Sequence, residues 1–202
     1  MVRKVMEKID QLSNLRIDIE NSDITPELKS NSTQLVFGDG NLDADILFIG
    51  EAPGKNEDLS GISFIGRAGK FLNEMLESIN LSRDKVYITN IVKYRPLNNR
   101  DPLDKEKEAF LPYLIRQINI IKPKIIITLG RHSMNCFLPE QKISEAHGKL
   151  FNIEYEFEKN IYNYQILPLF HPAAAIYNQA LKGTLVEDFK KLPKILSKLT
   201  TN

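Results

Sequence analysis

Four short apolar runs, separated by amphipathic stretches, constrain this chain more than any other feature. "ADILFIG" (44–50), "KVYITNIV" (85–92), "KIIITLG" (124–130) and "YQILPLF" (164–170) are β-branched or apolar almost throughout. Unbroken apolar character marks strands covered on both faces, the condition of a parallel sheet. Helical periodicity fills the intervals at 69–81, 104–122 and 131–138, and again at 184–199 despite Pro193. A further helix is predicted over 1–20, where Val2, Val5, Met6, Ile9, Leu12 and Leu15 recur at helical spacing. The polar, proline-bearing stretch 21–34 reads as a loop. Strand and helix alternate, which predicts an α/β fold: one domain over 1–202, a three-layer α/β/α sandwich with a central, mainly parallel four-stranded sheet.

Composition narrows the function classes. Hydrophobic residues make up 42% and charged residues 26%, and the net charge is +1, so any nucleic-acid contact needs a locally basic face. One cysteine, Cys136, excludes a disulfide framework and a thiolate metal site within the chain, and it reads as buried core. No run is long enough to span a bilayer, and the charged, amphipathic start is unlike a signal peptide. The expectation is a soluble cytoplasmic protein.

Three strand ends carry unusual polar residues. The first strand runs into "GEAPG", the second ends in Thr89 and Asn90, and the last runs into "HPAAA" (171–175). In a parallel sheet those ends share one edge, where ligands sit in open α/β folds, so Glu51, Asn90 and His171 are expected to converge on one cleft. Taken singly, each has an ordinary explanation as a tight connection, a turn residue or a structural histidine. "GEAPGK" matches neither a P-loop nor a dinucleotide fingerprint. His132 and His147 lack ligand-spaced partners, so no metal site is expected.

The combination of "GEAPG", "FIGRAG", "TNIVKYRPLNNRDP" and "HPAAAIY" resembles the uracil-DNA glycosylase superfamily, above all its family 4, from about Val36 to Tyr177. The resemblance implies a monofunctional DNA glycosylase that flips a base out of the stack into a pocket. Carried over, Phe64 stacks on the pyrimidine, Asn90 pairs with its edge, and His171 donates to O2 as charge grows on the leaving base. Glu51 orients the attacking water or the sugar. Ala52 stands where other members keep an aspartate, and Glu57, with Asp58, narrows the space beside C5. Lys93, Arg95 and Arg100 would grip phosphates, helped by Arg67 and Lys70, and Ile176 or Tyr177 would tip the loop that wedges into the duplex.

The chain departs from the family pattern at its cysteines. Typical family 4 members bind an iron–sulfur cluster on four of them; here Tyr94 and Phe110 take two of those positions and the N-terminal region reads "LSNL" (Leu12–Leu15). Clusters need thiolates, so no cofactor is expected, and apolar packing of Tyr94, Phe110 and the first helix is expected in its place. "GISF" replaces the usual "GRPF", with Ile62 and Ser63 changed. The leading expectation is uracil removal in base excision repair by a monomer acting on DNA. The alternative is excision of a bulky modified cytosine from phage DNA in antiviral defence, and a third class is a DNA-binding module without catalysis.

Overall fold

The computed structural model describes residues 2–200, with side chains from Val5 to Leu199, so Val2 of the expected apolar stripe lies outside the described side chains. In chain order the helices are α1 (Val2–Asn21), α2 (Pro26–Ser30), α3 (Lys55–Ser60), α4 (Arg67–Ser78), α5 (Asp104–Ile121), α6 (Arg131–Asn135), α7 (Ile143–Ala146), α8 (Pro172–Tyr177) and α9 (Gln179–Thr200). The strands are β1 (Asp39–Gly40), β2 (Ile46–Gly50), β3 (Tyr87–Asn90), β4 (Ile125–Leu129), β5 (Phe151–Phe157) and β6 (Asn160–Leu169). Strand order is β1-β3-β2-β4-β6-β5. The inner four strands pair in parallel, as expected, and antiparallel edges at β1 and β5 bring the sheet to six strands rather than four.

Successive residues of each inner strand point to opposite faces. Leu47, Ile49, Ile126 and Ile166 pack beneath α1 and α5, while Phe48, Ile127 and Leu167 pack against α4 and α9. On the second face the rings of Phe48 and Phe189 stack at 6.2 Å. Two helical layers on one sheet make the three-layer sandwich. Among the described residues no helix is long and apolar enough to cross a membrane.

The first helix forms where predicted, yet it turns a different stripe inward. Leu12, Leu15 and Ile19 are buried together with Lys8, whereas Met6 and Ile9 are exposed. The Lys8 ammonium donates to the carbonyls of Leu42 and Ile121 and to the Asp43 carboxylate, so its charge is met at the core margin. That commitment rotates the helix away from the purely apolar stripe. Tyr94 and Phe110 meet edge-on at 6.1 Å within the core that contains Leu12 and Leu15. Cys136 is only half-buried, at the margin of that core rather than inside it, and burial pushes its thiol up to about 11.

Phe110 is fully buried between α1 and the sheet. Phe110→Ala is expected to lower unfolding stability by about 3–5 kcal/mol, measured by urea denaturation. A loss under about 1 kcal/mol would mean the site collapses around the missing ring.

Candidate active site

The parallel register places the strand ends side by side. Gly50, the last residue of β2, pairs with Asn90, the last of β3. Past that pair the amides of Ile91 and Val92 donate to the carbonyls of Gly50 and Glu51 at 3.0 and 3.2 Å, so the "GEAPG" turn leaves the sheet in a fixed direction. At the end of β4, Gly130 has φ +91, and a Cβ there would lie 3.0 Å from the Cβ of His171, which follows β6. The expected convergence of Glu51, Asn90 and His171 is thus met by geometry, and Phe64 joins them. Its ring lies 5.8 Å from that of His171 and borders Gly50 and Asn90.

Asn90 is 1% exposed, and neither its amide nitrogen nor its amide oxygen has a hydrogen-bond partner within the protein. Buried amides are nearly always paired, because an unpaired one forfeits about 1–3 kcal/mol per group. The amide thus keeps both a donor and an acceptor without a protein partner, beside the Phe64 ring.

Phe64 stands at φ +52, a region that residues other than glycine seldom occupy. Its neighbours hold it there. The Ser63 amide donates to Asp39 Oδ1 at 2.9 Å, and the Arg83 guanidinium donates to the carbonyls of both Ser63 and Phe64. Arg83 also pairs with Asp39 at 3.2 Å. On the other flank the amides of Ile65 and Gly66 donate to Glu57 Oε1 at 3.0 and 2.7 Å. The Glu57 carboxylate thus serves the loop backbone and the start of α4. Asp58 likewise binds the amide and hydroxyl of Thr33, each at 2.9 Å. Ala52 is half-buried against the first core.

The electrostatics of the two expected catalytic groups are opposed. The Nδ1 of His171 accepts the amide of Ala173 at 3.1 Å, which leaves the proton of the neutral ring on Nε2. Burial, reinforced by His132, lowers its pKa to about 4, so the ring is neutral at pH 7. Glu51 is pushed up to about 7, chiefly by burial and then by Asp101, against the opposing pull of Lys107 and Arg131. A carboxyl group near 7 is poised to take a proton at neutral pH.

Spacing in the sequence left His132 without partners, but folding supplies them. Its Nε2 lies 3.6 Å from Glu51 and 3.2 Å from Asp101, and ligand-capable atoms of the three residues fall within 4.8 Å of one another. Lys107, 3.5 Å from His132 Nδ1, and Arg131, 3.3 Å from Asp101, already bring positive charge to this cluster. A divalent cation there would meet that charge as repulsion. Asp101, in the loop before α5, and His132, on α6, lie about thirty positions apart with no motif to link them.

The expected phosphate contacts divide. Lys93 is wrongly placed in that group: it is 0% exposed and its ammonium is spent on protein oxygens, so it reaches no solvent-borne phosphate. Arg100 makes a two-pronged pair with Glu106 at 2.9 and 2.6 Å, and Arg95 donates to Asn99 at 2.7 Å. Arg67 and Lys70 line a groove with Ile176 and Lys182. Ile176 packs against the second core, whereas Tyr177 is 77% exposed and accepts a hydrogen bond from Arg67 at 2.7 Å, so Tyr177 alone has the exposure of a tip.

The sequence profile of the Uracil DNA glycosylase superfamily matches residues 37–197. The chain is 51% identical over 166 residues to the Type-4 uracil-DNA glycosylase of Saccharolobus solfataricus, covering 80% of this chain and 76% of that one. It is 43% identical over 177 residues to the Type-4 uracil-DNA glycosylase of Archaeoglobus fulgidus, covering 85% and 87%. It is also 28% identical over 170 residues to a DNA polymerase of Bacillus phage SP01, covering 84% of this chain but 18% of the polymerase.

The raised Glu51 pKa carries a stability consequence. Folded Glu51 holds its proton up to about pH 7, while an ordinary glutamate releases it near 4.5. Between those values the folded state binds more protons than the unfolded one, so stability falls as pH rises through this window. Glu51→Gln removes the effect. At pH 7.5 the variant is expected to be more stable than the parent by roughly 1 kcal/mol or more, with the gap closing near pH 4.5. Thermal unfolding at both pH values checks this, and an equal or lower stability at pH 7.5 would contradict the burial of a strained charge.

Proposed function

The chain belongs to the uracil DNA glycosylase superfamily, and we propose that it is a monofunctional DNA glycosylase that removes uracil at the first step of base excision repair. The observation that carries this reading is the buried, unpartnered Asn90 amide beside Phe64. In this reading a uracil nucleotide swings out of the duplex, at an unstacking cost of a few kcal/mol, and its ring lies on Phe64. The Asn90 Nδ2 group donates to O4 and its Oδ1 accepts N3–H, a pattern that matches uracil and opposes cytosine.

The bond between C1′ and N1 breaks with its electron pair leaving on the base. Negative charge then grows on O2, where the His171 Nε2–H donates; a neutral donor held in place acts like an oxyanion-hole group. A water oxygen adds to C1′, and its proton passes to the Glu51 carboxylate and on to solvent. The departing base anion takes up one proton from solvent, so the products are an abasic site and neutral uracil. Arg67 and Lys70, with Arg95, hold the phosphates, and Tyr177 enters the space the base vacates.

The direct test incubates the protein with uracil-containing duplex and, separately, with phage DNA bearing modified cytosine, then treats both with alkali. Strand breaks are expected in the uracil duplex alone. Breaks confined to the modified-cytosine DNA would overturn the base assignment. His171→Ala is expected to slow uracil release by about a hundredfold or more while DNA affinity stays near that of the parent. An equal fall in affinity would make His171 a binding residue instead.

The DNA grip has its own signature. Each phosphate contact adds about 0.9 to the slope of log affinity against log salt. Replacing Arg67 and Lys70 together by Ala is expected to make that slope shallower by about one to two, equally on duplexes with and without uracil. An unchanged slope across a salt titration would place the phosphates elsewhere.

A further inference from the structure

Lys93 takes no part in the reaction described above, yet its ammonium is fully buried and bound on three sides. Its Nζ donates to Thr89 Oγ1 at 2.6 Å, to the Asn90 carbonyl at 2.8 Å and to Gln117 Oε1 at 2.7 Å. The Thr89 hydroxyl donates onward to the Phe37 carbonyl at 2.8 Å, which leaves its oxygen as an acceptor for the lysine. The Gln117 amide nitrogen donates to the Phe37 carbonyl at 3.1 Å and to the Tyr87 hydroxyl at 3.0 Å, which turns its Oε1 toward Lys93. All three protons of the ammonium therefore find acceptors, and the Phe37 ring lies 5.9 Å from Nζ.

None of those acceptors is a carboxylate. Taking an ammonium out of water without an opposite charge is unfavourable by several kcal/mol, and burial accordingly holds the pKa of Lys93 well below its usual value. An apolar side chain of similar length would fill the space without that cost. Two of the three bonds go to Thr89 and Asn90, the end of β3, and the third ties them to Gln117 on α5 behind it. The Asn90 amide itself has no polar restraint. Its direction is set by its own backbone and by the bare Gly50 and the Phe64 ring beside it.

We infer that Lys93 is a positioning residue: by holding the Asn90 carbonyl and the Thr89 hydroxyl from behind, it fixes the direction in which the Asn90 amide faces the base. The inference rests on the reading of Asn90 as the base-recognition residue. Uracil and cytosine ask for opposite faces of that amide, so a small freedom at the Asn90 backbone weakens both the rate and the preference.

Single-turnover release of uracil from duplex DNA, measured for Asn90→Ala, Lys93→Met and the double variant, tests this. Lys93→Met is expected to slow release about tenfold in the parent, with duplex affinity nearly unchanged, and to cause no further slowing when Asn90 is already Ala, as for residues that act through one network. Equal slowing in both backgrounds would make Lys93 a general structural residue and overturn the inference, as would an unchanged rate in the parent. If Asn90→Ala alone leaves the rate unchanged, the base-recognition reading fails and the inference falls with it. Should Lys93→Met not fold, Thr89→Val removes one acceptor while keeping the shape. It is expected to show the same pattern at about threefold, and equal effects in both backgrounds would again overturn the inference.

Discussion

A side chain at position 50 has nowhere to go. A Cβ on Gly50 would stand 2.4 Å from the Asn90 amide oxygen and 2.5 Å from two atoms of the Phe64 ring, distances that no real packing tolerates. The candidate site depends on that bare backbone. Because Gly50 pairs with Asn90 in a parallel ladder, the amide and the ring can meet over the strand end, where open α/β sheets collect their ligands. The same economy recurs at the end of β4, where Gly130 lets His171 close the opposite side.

Around this contact, groups in unfavourable states are held by groups in favourable ones. Phe64 sits at positive φ, Asn90 lacks partners, and Glu51 is driven up to about 7. Each of these features lowers stability in isolation. Opposing them are the Asp39–Arg83 pair and the Glu57 carboxylate on the Ile65 and Gly66 amides. Charged residues that look suited to ligand contact along the sequence thus serve to hold the few that remain unpaired. Strain concentrated at one edge and supported from behind is the pattern of a preorganised site.

The inner sheet was legible because its strands are apolar on both faces, and the strand ends followed from parallel direction alone. The antiparallel strand β5 and its turn into β6 were not. "FNIEYEF" alternates half-buried and exposed residues, and its two-residue turn uses Glu158 and Lys159, both at positive φ, where glycine or asparagine is the usual signal. Lys93 was misread because a lysine beside "RP" and two asparagines looks like a surface loop. Residues 91–94 are instead buried, and only the third dimension reveals Gln117 as a partner of Lys93. Glu57 and Asp58 were legible as important to the loop but not in role, since their partners are the Ile65 and Gly66 amides and the distant Thr33, which carry no sequence signature. Asp101 beside His132 left no trace in spacing at all.

In the proposed reading, uracil meets the Asn90 amide and the Phe64 ring where they stand in the free protein. The most direct measurement is a crystal structure of the protein bound to a duplex carrying a 2′-fluorinated deoxyuridine, whose glycosidic bond resists cleavage. The expected result is a flipped uracil stacked on Phe64, with O4 and N3 meeting the two atoms of the Asn90 amide and β2, β3 and the 61–66 loop unmoved. A base bound elsewhere, or an Asn90 amide still without partners in the complex, would contradict the central claim.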